Sequence, residues 1–233
     1  MNYPQEIAYP VYLDQSDITN QDIAHPVNLE LTYAAEPAET VFGGMSASAI
    51  PKKYFPSPEI ALINSMRMAW EQHVFWTRLL LISIAERLKD LDATTKRLLR
   101  NPDDIANIFA VYYPPAIAKK ISQLLTEHLQ IGAALITAPR DGKSGEAKTL
   151  DSQWYKNADE MAAAFASINP YYDREELRKM LHRHLDLTKQ EVAMRLAGNY
   201  PADIEAFDRV ELEAIAMADY FTTGIIRQFP HKF

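Results

Sequence analysis

The chain of 233 residues contains no cysteine at all. That removes disulfide scaffolds, thiolate zinc sites, iron–sulfur clusters and thiol nucleophiles together. Glycine is scarce, at seven residues, and no Gly-rich phosphate loop, dinucleotide fingerprint, nucleophile elbow or H-E-x-x-H zinc motif occurs. Nucleotide and flavin cofactors therefore have no handle in this sequence. Basic residues are outnumbered, 24 to 31, giving a net charge of −7 and arguing against a nucleic-acid partner. Long apolar runs are missing too: Leu79 to Ala85 is interrupted by Ser83 and bounded by Arg78 and Glu86. This is far below the roughly 20 residues of a membrane span. No basic n-region followed by an apolar stretch opens the chain, so a cytoplasmic protein without a membrane span is expected.

What is present divides the chain at about residue 57. Residues 1–57 hold Pro4, Pro10, Pro26, Pro37, Pro51 and Pro56 and show no helical period. They read as an extended proline-rich arm, suited either to wrapping its own domain or to crossing onto another copy in a homo-oligomer. Residues 58–233 read as a helical bundle. Ser57 is a natural N-cap, with Pro58 at the first helical position and Glu59 in the first turn. Apolar residues then recur at three- and four-residue steps through Met66, Ala69, Trp70, Trp76, Leu80 and Ile84.

The pattern predicts a first helix to about Arg100, bent near Asp90 to Asp92. Asn101-Pro102-Asp103-Asp104 reads as a turn capping a further helix, which Pro114-Pro115 interrupts before it resumes to Ala138. Pro139 to Thr149 reads as a polar loop. A short helix follows over Asp151–Ile168 and ends at Asn169-Pro170. Asp173 caps a helix to Ala197, which Gly198-Asn199 terminates, and a last helix runs from Pro201 to Phe229. The expected fold is all-α: an antiparallel four-helix bundle of two hairpins, ferritin-like or similar, with one short extra helix.

The two hairpins look duplicated. Trp70-Glu71-Gln72-His73 through Arg78 parallels Leu181-His182-Arg183-His184 through Lys189, and matching the later helices sets His128 against Asp219. His73 lies 28 residues before Asn101 and His128 lies 27 after it. Two antiparallel helices sharing that turn would hold both histidines at one height, about 40 Å from the turn.

His73, His128, His184 and Asp219 each interrupt an apolar helical stripe, so four helices offer one polar group apiece to the interior. Three imidazoles and a carboxylate suit iron, manganese or zinc. Glu127 is an additional candidate ligand or an acceptor behind one, Glu71 and Glu213 are weaker candidates, and Gly132 leaves room one turn beyond His128. Thr77 and Thr188, one turn after a histidine, are candidates to orient it or to bond their own helix backbone. By contrast, His182 has charged neighbours and belongs to a solvated face. The same four groups can also satisfy one another as a buried polar network, or form a metal-free catalytic site. A non-catalytic assembly protein using its arm and a bundle face is the alternative of a different class. The aromatic pairs Phe75-Trp76, Tyr112-Tyr113, Trp154-Tyr155 and Tyr171-Tyr172 read as packing.

Four stretches carry a resemblance: Trp70-x-x-His73-x-x-Trp76-Thr77-Arg78, Glu127-His128-Leu129, Trp154-Tyr155-x-Asn157-Ala158-Asp159-Glu160 on to Ile168-Asn169-Pro170-Tyr171, and Gly224-Ile225-Ile226-Arg227-Gln228-Phe229. Together they resemble a family of uncharacterised all-helical proteins of spore-forming and related Gram-positive bacteria. The Glu127-His128 step is similar to ferritin-like metalloproteins made of duplicated four-helix units. The resemblance covers about 58–233 and implies a helical bundle and a metal, without an activity. Gln72 precedes His73 and Arg183 precedes His184, so a Glu-His pair on every helix is not part of it.

Overall fold

Ser57 opens the first helix as its sequence predicts: its hydroxyl accepts the Ile60 N–H at 3.3 Å, and α1 runs Pro58–Ala85. The computed structural model describes residues 56–233. The proline-rich arm, and the oligomer contact assigned to it, lie outside the described residues apart from Pro56 and Ser57.

The first helix does not reach Arg100. It stops at Ala85 because Arg87 adopts a left-handed φ of 55°. The Arg87 N–H then bonds the Ile84 carbonyl and the Leu88 N–H bonds the Ser83 carbonyl, closing the helix in a Schellman turn. The Ser83 hydroxyl donates to Asp90 Oδ1 at 2.8 Å across the same turn. The chain folds back through two short helices, α2 (Leu91–Leu98) and α3 (Asn101–Ala110). This corrects the expected geometry at Asn101. The residue is not a remote turn about 40 Å from the histidines; the fold-back brings it against His73.

After the Pro114-Pro115 break, α4 runs Pro115–Arg140, with Pro139 in its last turn. The expected polar loop over 139–149 is only three residues long. Gly142, at φ 73°, closes α4 with the same paired bonds, Gly142 N–H to Pro139 O and Lys143 N–H to Ala138 O. Then α5 starts at Ser144 and extends to Ile168 as a full 25-residue helix. Its first turns are polar and exposed, which hides them from a search for apolar periodicity. The remaining punctuation follows the sequence reading. Asp173 caps α6 (Arg174–Leu196) by accepting the Glu176 N–H, Gly198 at φ 71° closes it, and Asn199 caps α7 (Tyr200–Gln228). A single 3-10 turn follows at Pro230–Lys232.

The described residues are thus all helical, with five long helices instead of four, plus two short ones. Around the core, α1 packs on α7, α7 on α6, α6 on α5 and α5 on α4, while α3 fills the space between α1 and α4. Two apolar clusters result. The larger centres on Trp70, Phe109, Phe165 and Phe221, with Phe165 and Phe221 ring centroids 4.5 Å apart. The smaller holds Leu80, Leu81, Ile84, Leu98, Leu129 and Ile136. One contact requires glycine: a Cβ on Gly224 would stand 2.0 Å from Tyr172 Cε1, whose hydroxyl donates to the Phe221 carbonyl at 2.7 Å. No helix among the described residues is long and apolar enough to cross a membrane.

Candidate metal centre

Where the two apolar clusters meet, α1, α4 and α6 bring His73, His128 and His184 together. All three are buried, at 2%, 2% and 4% exposure. Their ring centroids lie 5.9 Å (73–128), 5.8 Å (73–184) and 6.1 Å (128–184) apart. One nitrogen from each lies within 4.8 Å of the others. His73 and His128 do meet, although not through a shared turn at Asn101, which lies against His73 itself.

Two carboxamides, absent from the sequence-based set, fix two of the rings. Asn101, the first residue of α3, donates through Nδ2 to the Ala69 carbonyl at 2.8 Å, which leaves Oδ1 facing His73 Nδ1 at 3.0 Å. Asn157 on α5 repeats the arrangement: Nδ2 donates to the Leu124 carbonyl at 3.2 Å and Oδ1 faces His128 Nδ1 at 3.2 Å. In both cases the carbonyl used is four residues before the histidine. With each amide nitrogen turned to a carbonyl, the end that faces the ring is the oxygen, which only accepts. The imidazole opposite then carries its proton on Nδ1 and keeps its lone pair on Nε2, the nitrogen left to meet a metal.

Among the described residues His184 has no such partner, and its Nδ1 is buried without a hydrogen bond. Thr188 donates to the His184 carbonyl at 2.9 Å, and Thr77 to that of His73 at 2.7 Å. Both threonines therefore tie their own helix backbone and leave the ring nitrogens untouched. Trp154 supports His128 from α5: its Nε1 donates to the His128 carbonyl at 3.0 Å, and the two rings lie 5.2 Å apart. Gly132 admits this indole, whose Cζ2 would be 3.2 Å from an added Cβ.

The three rings, Thr77, Thr188 and otherwise apolar side chains surround a cavity of about 20 Å³, room for one water molecule. Burial disfavours the imidazolium form throughout. It lowers His73 to about 4, with Asn101 opposing, and lowers His184 to about 3, aided by His73. His128 is lowered by burial and by both neighbouring rings. At neutral pH all three are uncharged and able to donate lone pairs.

Asp219 does not join them. It lies half-exposed on the outer face of α7, where both carboxylate oxygens accept from Arg67 at 2.7 Å. A stripe through Leu212, Ile215, Ala216 and Ile226 would carry Asp219 inward. The buried stripe instead runs Val210, Ala214, Met217, Ala218, Phe221 and Ile225, while Leu212 is 71% exposed. Asp219 follows Ala218 by one residue and so points about 100° away from the core. Pairing His128 with Asp219 as repeat equivalents fails for the same reason. Glu127, next to the buried His128, is exposed. Glu71 lies beside Glu211, and Glu213 pairs with Arg183 at 2.9 Å. His182 faces outward, as its charged neighbours imply, and meets Asp159 at 2.7 Å.

Beyond the histidines, a buried ion cluster braces α1, α6 and α7. The Arg78 guanidinium donates to Glu191 at 2.6 Å and to both oxygens of Asp203 at 2.9 and 3.2 Å; Arg195 reaches Asp203 and Glu86. Burial raises the Glu191 carboxyl and Arg78 pulls it back. The sequence signal for the missed asparagines is their spacing, 28 residues after His73 and 29 after His128.

Chemically, the centre offers three neutral nitrogen donors from three helices and, among the described residues, no carboxylate. Two nitrogens on one tetrahedral ion with 2.0–2.1 Å bonds stand about 3.3 Å apart, so closing on an ion takes inward shifts of up to about 1.5 Å. No family model matches the chain, and no curated protein or solved structure matches it.

Proposed function

We propose that this protein binds one transition-metal ion in its helical core through His73, His128 and His184. The observation that carries the reading is the paired carboxamide lock. Asn101 and Asn157, on different helices, hold two converging imidazoles in the tautomer whose free lone pair is on Nε2. A buried network serving stability alone would use both nitrogens of each ring, yet His184 Nδ1 has no partner.

An all-imidazole set favours zinc or iron(II) within the iron, manganese and zinc group, because manganese prefers oxygen donors and Asp219 and Glu127 face outward. This donor set differs from the carboxylate-rich di-iron centre of ferritin-like bundles. Three protein ligands leave a coordination position open, the arrangement of catalytic rather than structural zinc. Zinc there would polarise a bound water or carbonyl-type ligand. The chain's own residues would hold the rings, exclude bulk water and keep the site neutral.

Elemental analysis after chelation, reconstitution with zinc or iron(II), and dialysis tests the reading. The expected result is one ion per chain, lost in His128→Ala and retained in Asp219→Ala and Glu127→Ala. Less than about a tenth of an equivalent in the unaltered protein would overturn it.

A further inference from the structure

The metal cavity has two neighbours, and they differ in character. One is a groove of about 360 Å³ that shares Leu80 and Ala133 with it and carries Asp92, Arg140, Asp141, Lys143 and Glu146. The Arg140 guanidinium there is already engaged by both oxygens of Asp141, at 2.8 and 3.0 Å, and by the Ile84 carbonyl at 3.3 Å. The other is a groove of about 230 Å³ between α4, α5 and α6, formed mainly by Leu135, Ile136, Pro139, Trp154, Val192 and Leu196. It shares Ile136 and Trp154 with the metal cavity. Its one charged group, Lys189, is spoken for: the amine lies 3.0 Å from Asp151, 3.6 Å from Asp186 and 4.5 Å above the Tyr155 ring.

We infer that this second groove is the entry and binding subsite for a small, uncharged, mainly hydrocarbon ligand with a single lone-pair head that reaches the open position at the histidines. The inference rests on the metal reading and names the ligand class for the same site. Among the described residues the groove offers no unpaired polar group, so a charged or strongly hydrated molecule would lose its water there without replacement. Its volume falls below the roughly 300 Å³ at which drug-sized pockets begin, which limits the ligand to a small one.

Two side chains of unequal freedom line both groove and cavity. Trp154 is pinned by its Nε1 bond to the His128 carbonyl. Ile136 is buried, at 3% exposure, by apolar contacts alone. A change of the Ile136 rotamer is therefore the motion that joins groove to cavity, and it breaks no hydrogen bond. The polar groove would have to admit a ligand past Leu80, packed in the smaller core cluster, from among charges that already satisfy each other.

The full chain loaded with cobalt(II), under anaerobic conditions, provides the test, with ethanethiol, hexanethiol and 6-mercaptohexanol as probes. Each enters as the neutral thiol and loses its proton to the buffer only on binding cobalt, so that the uncharged tail alone lies in the groove, and is read by the near-ultraviolet cobalt–thiolate band. At up to about fourfold per buried methylene, hexanethiol should bind at least about tenfold more tightly than ethanethiol. Ending the tail in a hydroxyl should reduce that gain. Leu196→Asp, at a 37% exposed position on the groove's rim, should weaken hexanethiol several-fold while leaving ethanethiol and cobalt stoichiometry unchanged. Affinity independent of chain length, or a length dependence untouched by Leu196→Asp, would overturn the inference alone. Failure to take up cobalt would overturn the metal reading and this inference with it.

Discussion

Asn101 stands to His73 as Asn157 stands to His128. In each pair the amide nitrogen donates to a helix carbonyl one turn before the histidine, and the amide oxygen lies 3.0 or 3.2 Å from Nδ1. The two pairs come from different helices, so the same local solution is built twice around one point. Replacing Asn101 by Ala removes the acceptor and leaves the His73 N–H buried alone. The expected loss is about 10–100-fold in metal affinity and about 1–3 kcal/mol in apo-protein stability. Competition with a chromophoric chelator and a urea titration measure the two effects separately.

His184 and His73 should respond differently to the same change. His73→Phe strands Asn101 Oδ1 and should cost the apo-protein about 1–3 kcal/mol. His184→Phe removes a nitrogen that has no partner and should leave apo stability unchanged or slightly raised. Both variants should lose metal. Urea midpoints with and without zinc decide the matter.

Acid should weaken the metal-free fold through the histidines. Their folded-state values are below the ordinary 6.5, so the unfolded chain takes up protons first and stability falls as pH drops from 6.5 toward 4. Each histidine contributes a slope of up to about 1.4 kcal/mol per pH unit in that window. Glu191 and Glu211, both raised to about 7 by burial, act in the opposite direction. The histidine share is therefore read as the difference between the parent and His184→Phe, whose stability should fall less steeply between pH 6.5 and 5.

Arg78 holds two buried carboxylates on two helices. Arg78→Ala leaves Glu191 and Asp203 inside without their main cation and should cost about 3–5 kcal/mol. The denaturant midpoint at neutral pH gives the value.

Arg87 occupies the position that Gly142 and Gly198 fill at the ends of α4 and α6. A side chain there costs roughly 1 kcal/mol, so Arg87→Gly should raise stability by about that amount. A higher thermal midpoint with unchanged metal content is the expected readout.

These residues also show what the sequence could and could not disclose. Gly198, Asp173 and Ser57 announce helix ends by their chemistry, and those ends fall within a residue or two of where they read. The end of α1 is silent because an arginine takes the left-handed turn, and a helix carried on to about Arg100 with only a bend near Asp90 to Asp92 follows from reading past it. The start of α5 is silent because its first turns bury little and show no apolar period. The three histidines were legible as polar breaks in apolar stripes. Asp219 passed the same test falsely: flanking apolar residues such as Leu212 are exposed, and only packing against α1 and α6 fixes which face of α7 turns inward. Asn101 looked like a cap because asparagine is a common one; the fold-back at Arg87 gives its amide a histidine instead.

The most direct measurement is an anomalous difference map from crystals of the full chain soaked in cobalt or zinc, recorded on either side of the metal's absorption edge. The account predicts one peak at the meeting point of His73, His128 and His184, within about 2.1 Å of a nitrogen from each. A featureless map there at full soak, or a peak at Asp219 or Glu127 in its place, would contradict it.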